Sequence, residues 1–131
     1  MINGWRRMAV ILIVAGLGGC AGVALSSEDL GKTQETALGT VLVGSHGETL
    51  YVYDRDSTGL SSCTGACAVA WPPAKADAAA MPAKGFTVIA RGNGGLQWAY
   101  HGRPLYGYAF DKGPGATSGD GAEAVWHVAK P

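Results

Sequence analysis

The 131-residue chain has no apolar run near the ~20 residues that a membrane-spanning helix requires. Charge is sparse, at 15 %, with ten basic and ten acidic residues, so there is no surplus of either sign. The basic patch on which phosphate-backbone binding depends is missing, which excludes nucleic acid as a partner. Strands do not alternate with helices, and Gly92-Asn93-Gly94-Gly95 sits between two predicted strands rather than between strand and helix. That placement excludes a phosphate loop. The same lack of α/β alternation excludes phosphotransferase chemistry at Asp54-Arg55-Asp56-Ser57-Thr58. A calcium loop starting at Asp54 would need a glutamate at position 65, which is glycine. No Ser/His/Asp or Cys/His set occurs at catalytic spacing, so the chain is expected not to be an enzyme and to carry no cofactor. Cysteine is scarce as well, with three in all.

What is present begins with a leader. Trp5-Arg6-Arg7 precedes an apolar stretch from Met8 of about eleven residues, within the ~7–15 of a secretory signal. It ends in Leu17-Gly18-Gly19-Cys20, which resembles the lipobox of bacterial lipoproteins. The resemblance implies residues 1–19 as a cleaved leader, a lipid on Cys20 and a membrane as partner. By the sorting habit of such proteins, Ala21 after Cys20 favours the outer membrane, facing the periplasm, in a Gram-negative host. Of the ten basic residues, Arg6 and Arg7 leave with the leader, so eight remain against ten acidic ones. The 112 residues from Cys20 to Pro131 suffice for one small domain. Residues 20–39 show no sustained period and are expected to be a lipidated tether.

From Thr40 the pattern is β. Thr40–Ser45 and Glu48–Asp54 flank His46-Gly47, Phe86–Arg91 and Leu96–His101 flank the glycine-rich turn, and Arg103–Phe110 and Val125–Val128 are further strands. Ala76–Met81 is the only helix-like stretch, bounded by prolines. The chain also repeats itself: residues 46–71 laid over 101–126 give seven identities in 26 columns, against roughly two expected from composition. His, Gly, Leu, Tyr, Tyr, Asp and Trp coincide, with Cys63 opposite Ser118 and Cys67 opposite Ala122. An all-β domain over 40–131 is expected, a small sandwich or barrel of two repeats about 55 residues apart (about 40–94 and 95–131) related by a pseudo-twofold axis.

In each copy Tyr-x-Tyr alternation places both tyrosines on one strand face. Tyr51, Tyr53, Tyr106 and Tyr108 are therefore either the edge of the core or an aromatic platform for a protein or small ligand. Asp56 and Asp111 are expected to close turns by accepting backbone N–H bonds. Cys63 and Cys67, an even pair once Cys20 is acylated, are expected to form a disulfide in an oxidising compartment; a thiolate metal site or redox pair is the alternative. Their spacing exceeds Cys-x-x-Cys and no histidine follows, which excludes c-type haem attachment. His46 and His101 occupy equivalent turns, and a pseudo-twofold could bring them together, with Met81, as a weak metal candidate.

Tyr51-x-Tyr53-x-x-Asp56, Cys63-x-x-x-Cys67, Trp71-Pro72-Pro73, Gln97-x-x-Tyr100-x-Gly102-x-Pro104-Leu105-Tyr106 and Trp126 together resemble the secreted-repeat lipoproteins of bacteria. These carry a repeated Tyr-x-(Phe/Trp/Tyr)-x-x-Asp motif and have no established activity. The resemblance implies location and architecture: a membrane-anchored envelope module, non-catalytic, binding or structural. The alternative is a metal-binding or redox envelope protein using His46/His101 or Cys63/Cys67.

Overall fold

The computed structural model describes residues 22–131, so the expected leader and the lipidation call at Cys20 lie outside the described residues. Strands β1 (Thr33–Thr36) and β2 (Gly39–Leu42) form an antiparallel hairpin in which Thr36 opposes Gly39. Strand β3 (Tyr51–Tyr53) pairs with β7 (Trp126–Val128), the last strand of the chain. Strands β4 (Phe86–Ala90), β5 (Leu96–Tyr100) and β6 (Arg103–Pro104) make a three-stranded antiparallel sheet. The molecule is all-β, as expected, with three short sheets that do not close on themselves. Its one α-helix among the described residues, α1, is the single turn Ala66–Ala70.

The repeats meet at equivalent residues. Tyr51 N–H donates to the Tyr106 carbonyl at 2.7 Å, and Tyr106 N–H returns the bond to Tyr51 at 3.0 Å. An antiparallel pair of this kind carries a local twofold axis between its members. Two further sets of backbone bonds obey that axis. Leu42 N–H donates to Ala129 (2.8 Å), Ala129 to Leu50 (2.8 Å) and Leu50 back to Leu42 (3.0 Å), closing a triangle. Trp98, Ala74 and Leu105 close the matching triangle with bonds of 2.8, 2.9 and 2.9 Å.

Each triangle draws members from both repeats. The segment after Trp126 completes the first repeat's hairpin, and the segment after Trp71 completes the second's. The expected division at 94/95 is corrected, because it cuts the β4–β5 hairpin of the second repeat; as packed units the repeats exchange the segments that follow their tryptophans. A strand's sequence records which face it buries but not whose hairpin it joins, so the exchange left no trace in the alternation. In the first repeat Pro72 and Pro73 occupy the places of His127 and Val128. They donate no N–H, and the regular strand seen at β7 is reduced to a single bridge between Pro73 and Tyr106.

Two cores flank this shared strand layer. Leu50, Val52 and Leu105 point into one, with Leu25, Leu30, Leu42, Phe86 and Trp98. Tyr51 and Tyr106 point into the other, with Val41, Cys63, Trp71, Trp126 and Val128. The expected tether of residues 20–39 is also corrected. Leu25 and Leu30 are buried, Ala24 bridges Lys75, and 33–36 is β1. Isolated anchors spaced five residues apart produce no period, yet each fills a hole. Val23 does so at Gly107, where any Cβ would collide with its side chain; the first repeat carries Val52 at that position. Ala76–Met81 is not helical, and the helical turn Ala66–Ala70 instead begins inside the disulfide loop and runs on past Cys67.

Candidate functional site

The repeated Tyr-x-Tyr-x-x-Asp motif forms a reciprocal cross between the repeats. Tyr51 Oη donates to Asp111 Oδ2 at 2.7 Å, and Tyr106 Oη donates to Asp56 Oδ2 at 2.7 Å. Each aspartate also holds its own loop. Asp56 Oδ1 accepts from Ser62 N (2.7 Å) and Oγ (2.9 Å), and Asp111 Oδ1 from Ser118 N (3.0 Å) and Oγ (2.5 Å). Both aspartates thus close turns as expected and also reach across the axis. Ser118 is therefore the partner of Ser62, and the ungapped match of Cys63 with Ser118 is one residue out of step. Burial and the facing carboxylates push both tyrosine hydroxyls well above their usual pKa.

Tyr106 Oη gives its one proton to Asp56, so Ser61 Oγ, 2.6 Å away, must donate to it. Arg91 Nη1 donates to Ser61 Oγ (3.0 Å) and to Oε1 of the buried Gln97 (2.7 Å), and Arg91 Nη2 to Cys63 O (2.7 Å). This chain, which joins residues of both repeats, exists on one side of the axis; on the other side, Tyr51 Oη accepts from Gly119 N at 3.3 Å. The cysteines form the expected disulfide, with a Cα–Cα distance of 5.3 Å.

Four rings stack across the axis. Tyr53 lies on Trp126 (4.2 Å between centroids), Trp126 on Trp71 (3.9 Å, 3° between planes) and Trp71 on Tyr108 (4.3 Å). Tyr51 and Tyr106 meet Trp71 and Trp126 edge-on, at 5.4 and 5.1 Å. Of the four tyrosines expected at the edge of the core or on an aromatic platform, Tyr51 and Tyr106 are 0 % exposed and belong to the core. Both faces of their strands are covered, so alternation separates two cores rather than core from solvent. Tyr53 and Tyr108 end the stack half-buried, and each opens onto a cleft.

The two clefts are counterparts. The larger, about 630 Å³, is lined by Glu48, Thr49, Tyr108, Ala109, Asp111 and Pro114, with Val23 and His46 at its margin. The smaller, about 300 Å³, is lined by Arg103, Pro104, Tyr53, Asp54, Asp56 and Thr58. Gly115 N–H to Gly47 O (3.0 Å) and Gly59 N–H to Gly102 O (2.8 Å) fix the correspondence. In the smaller cleft Asp54 pairs with Arg103 at 3.3 Å and with His127 at 2.6 Å. Ala109 and Glu48 take the places of Asp54 and Arg103 in the larger cleft, so that ion pair cannot form there.

Both halves of the chain match one family, described as a secreted repeat of unknown function, at residues 32–75 and 87–130. The two matches cover more than half of the sequence. The chain belongs to that family. No curated protein and no solved structure matches it. The first family repeat begins within the expected tether, in keeping with β1. Each repeat includes the exchanged segment after its tryptophan, the part that packs on the other copy.

The structure does not bring His46 and His101 together. His46 borders the larger cleft, whereas His101 packs against Tyr100 (4.1 Å between rings) and beside Gly85. Met81 is exposed elsewhere. Among the described residues, no three His, Cys, Asp or Glu side chains are grouped to hold a metal ion, and no helix is long and apolar enough to cross a membrane. Sequence reasoning missed Glu48, Thr49, Ala109 and Arg103, and met Asp54 only in two motifs that it excluded. Their signal lay in the mismatched columns of the internal repeat.

Proposed function

We propose that this secreted-repeat protein is a non-catalytic module of the cell envelope, anchored by lipid on Cys20, that binds a partner through the half-buried Tyr53 and Tyr108 ends of its aromatic stack. The observation that carries this reading is the reciprocal Tyr51–Asp111 and Tyr106–Asp56 cross. The most conspicuous polar residues of the motif are engaged in holding the repeats together. That leaves the ends of the stack, and the clefts beside them, as the surfaces free to meet something else. In a host with two membranes the lipid places the module on the outer membrane, facing the periplasm.

Metabolic labelling with an alkyne-tagged palmitate tests the anchor. The expected result is a labelled band in the outer-membrane fraction that Cys20→Ser abolishes, with the protein released to the soluble fraction. An unlabelled wild-type protein in the soluble fraction would refute the anchoring.

A further inference from the structure

The duplication provides an internal control for function, because the axis makes two clefts from the same parts and the chain has altered only some of them. In the smaller cleft Arg103 and Asp54 form an ion pair across the lining. Glu48 and Ala109 remove both the cation and its partner from the larger one, which has twice the volume, about 630 Å³ against about 300 Å³. Its volume lies within the ~300–1,000 Å³ of small-molecule sites.

A third difference is Thr49 in place of Pro104. Thr49 is 1 % exposed, lines the larger cleft, and its Oγ1 is the one buried side-chain polar atom left without a hydrogen-bond partner among the described residues. Sealed from water, that oxygen gains a partner only when something polar enters beside it or χ1 turns by one staggered well. Among the described residues the lining carries two carboxylates, Glu48 and Asp111, one histidine and no lysine or arginine. Glu48 accepts from Ala24 N (3.2 Å) and His46 N (2.8 Å), and Asp111 from Tyr51 and Ser118. A carboxylate offers about four acceptor sites, so both retain capacity for a donor. The ring of Tyr108, stacked on Trp71, adds apolar surface to the lining.

We propose that the Thr49 cleft binds a small organic cation: an amine whose apolar body lies against Tyr108 and Pro114 and whose ammonium group is held by Glu48, Asp111 and the Thr49 hydroxyl. This deepens the binding-module reading and is independent of how the chain is anchored.

The test uses the full chain in a neutral detergent, with benzylamine, benzyl alcohol and benzoate as near-isosteric probes followed by amide chemical shifts. Benzylamine is expected to shift Glu48, Thr49 and Tyr108, binding about tenfold more tightly than benzyl alcohol, with benzoate silent. Thr49→Val should weaken benzylamine about tenfold while raising the melting temperature, since it removes an unpaired buried hydroxyl. Ala109→Leu, at an exposed position of the rim, should abolish binding with the spectrum otherwise intact. Affinity indifferent to charge, shifts centred on Arg103 and Asp54, or wild-type binding by Thr49→Val would overturn the proposal. Lipid labelling and cleft binding fail separately, so loss of one leaves the other standing.

Discussion

The two repeats share a frame and differ in how each is finished. The first closes its loop with the Cys63–Cys67 disulfide and one helical turn. The second has no disulfide, and its short 3-10 turn, Ala122–Ala124, runs through Glu123 and Ala124 at φ of 51° and 58°, a left-handed backbone that costs these residues conformational energy. The second holds an ion pair with the first in one cleft, and the other cleft is left open. What stayed common to both is what the axis requires: the Tyr–Asp cross, the tryptophan stack and the two backbone triangles. Where the copies diverge they differ in finish rather than in frame: the loops, the two clefts and the segments that follow the tryptophans.

The comparison can be broken most severely at the stack. Trp71→Ala and Trp126→Ala should each cost about 3–5 kcal/mol in urea unfolding. Because the rings face each other, the double variant should cost clearly less than the sum of the two. Unequal single costs would show that the axis is only geometric.

Alkaline pH should act next. Both hydroxyls of the cross are held protonated in the fold, with pKa raised chiefly by burial. An unfolded tyrosine releases its proton near pH 10, so the unfolded chain binds fewer protons above that point and stability falls as pH rises. Two such groups predict a loss of up to about 2.7 kcal/mol per pH unit above pH 10. Tyr51→Phe should halve that slope in pH-dependent denaturation.

Reducing the disulfide sharpens the contrast between the loops. The loop-entropy argument gives a loss of about 2 kcal/mol, measured as a lower urea midpoint in dithiothreitol. Smallest of all, Asp54→Asn removes an ion pair whose side chains are half exposed. It should change stability by no more than about 1 kcal/mol while opening the smaller cleft.

Much of the frame was legible in the sequence. The 86–91 and 96–101 strands, the duplication and the disulfide follow from alternation, internal identity and cysteine parity. The strand exchange was not legible, because swapped and unswapped pairings present the same faces to the same core. Nor was the burial of Tyr51 and Tyr106, since a period of two distinguishes two faces without saying whether one is wet. Leu25 and Leu30 were lost in an aperiodic segment for want of a neighbour pattern. As for the site, Asp56 and Asp111 were found as turn residues, but their reach across the axis depends on contacts 50 to 60 residues apart. The cleft residues were visible only as places where the two copies disagree.

The seating of Val23 against Gly107 also has a mechanical side. Two residues, Ala21 and Gly22, separate Cys20 from Val23, so the three steps between them span at most about 11 Å when fully drawn out. With lipid on Cys20, the domain would ride at the headgroups rather than hang on a long leash. Tension on the anchor would enter at Val23 and pass through Ala24 into Glu48 and Lys75 before it could reach the exchanged strands. The first part to peel away would be one wall of the open cleft, so a pull on the lipid would be felt there as a change of shape.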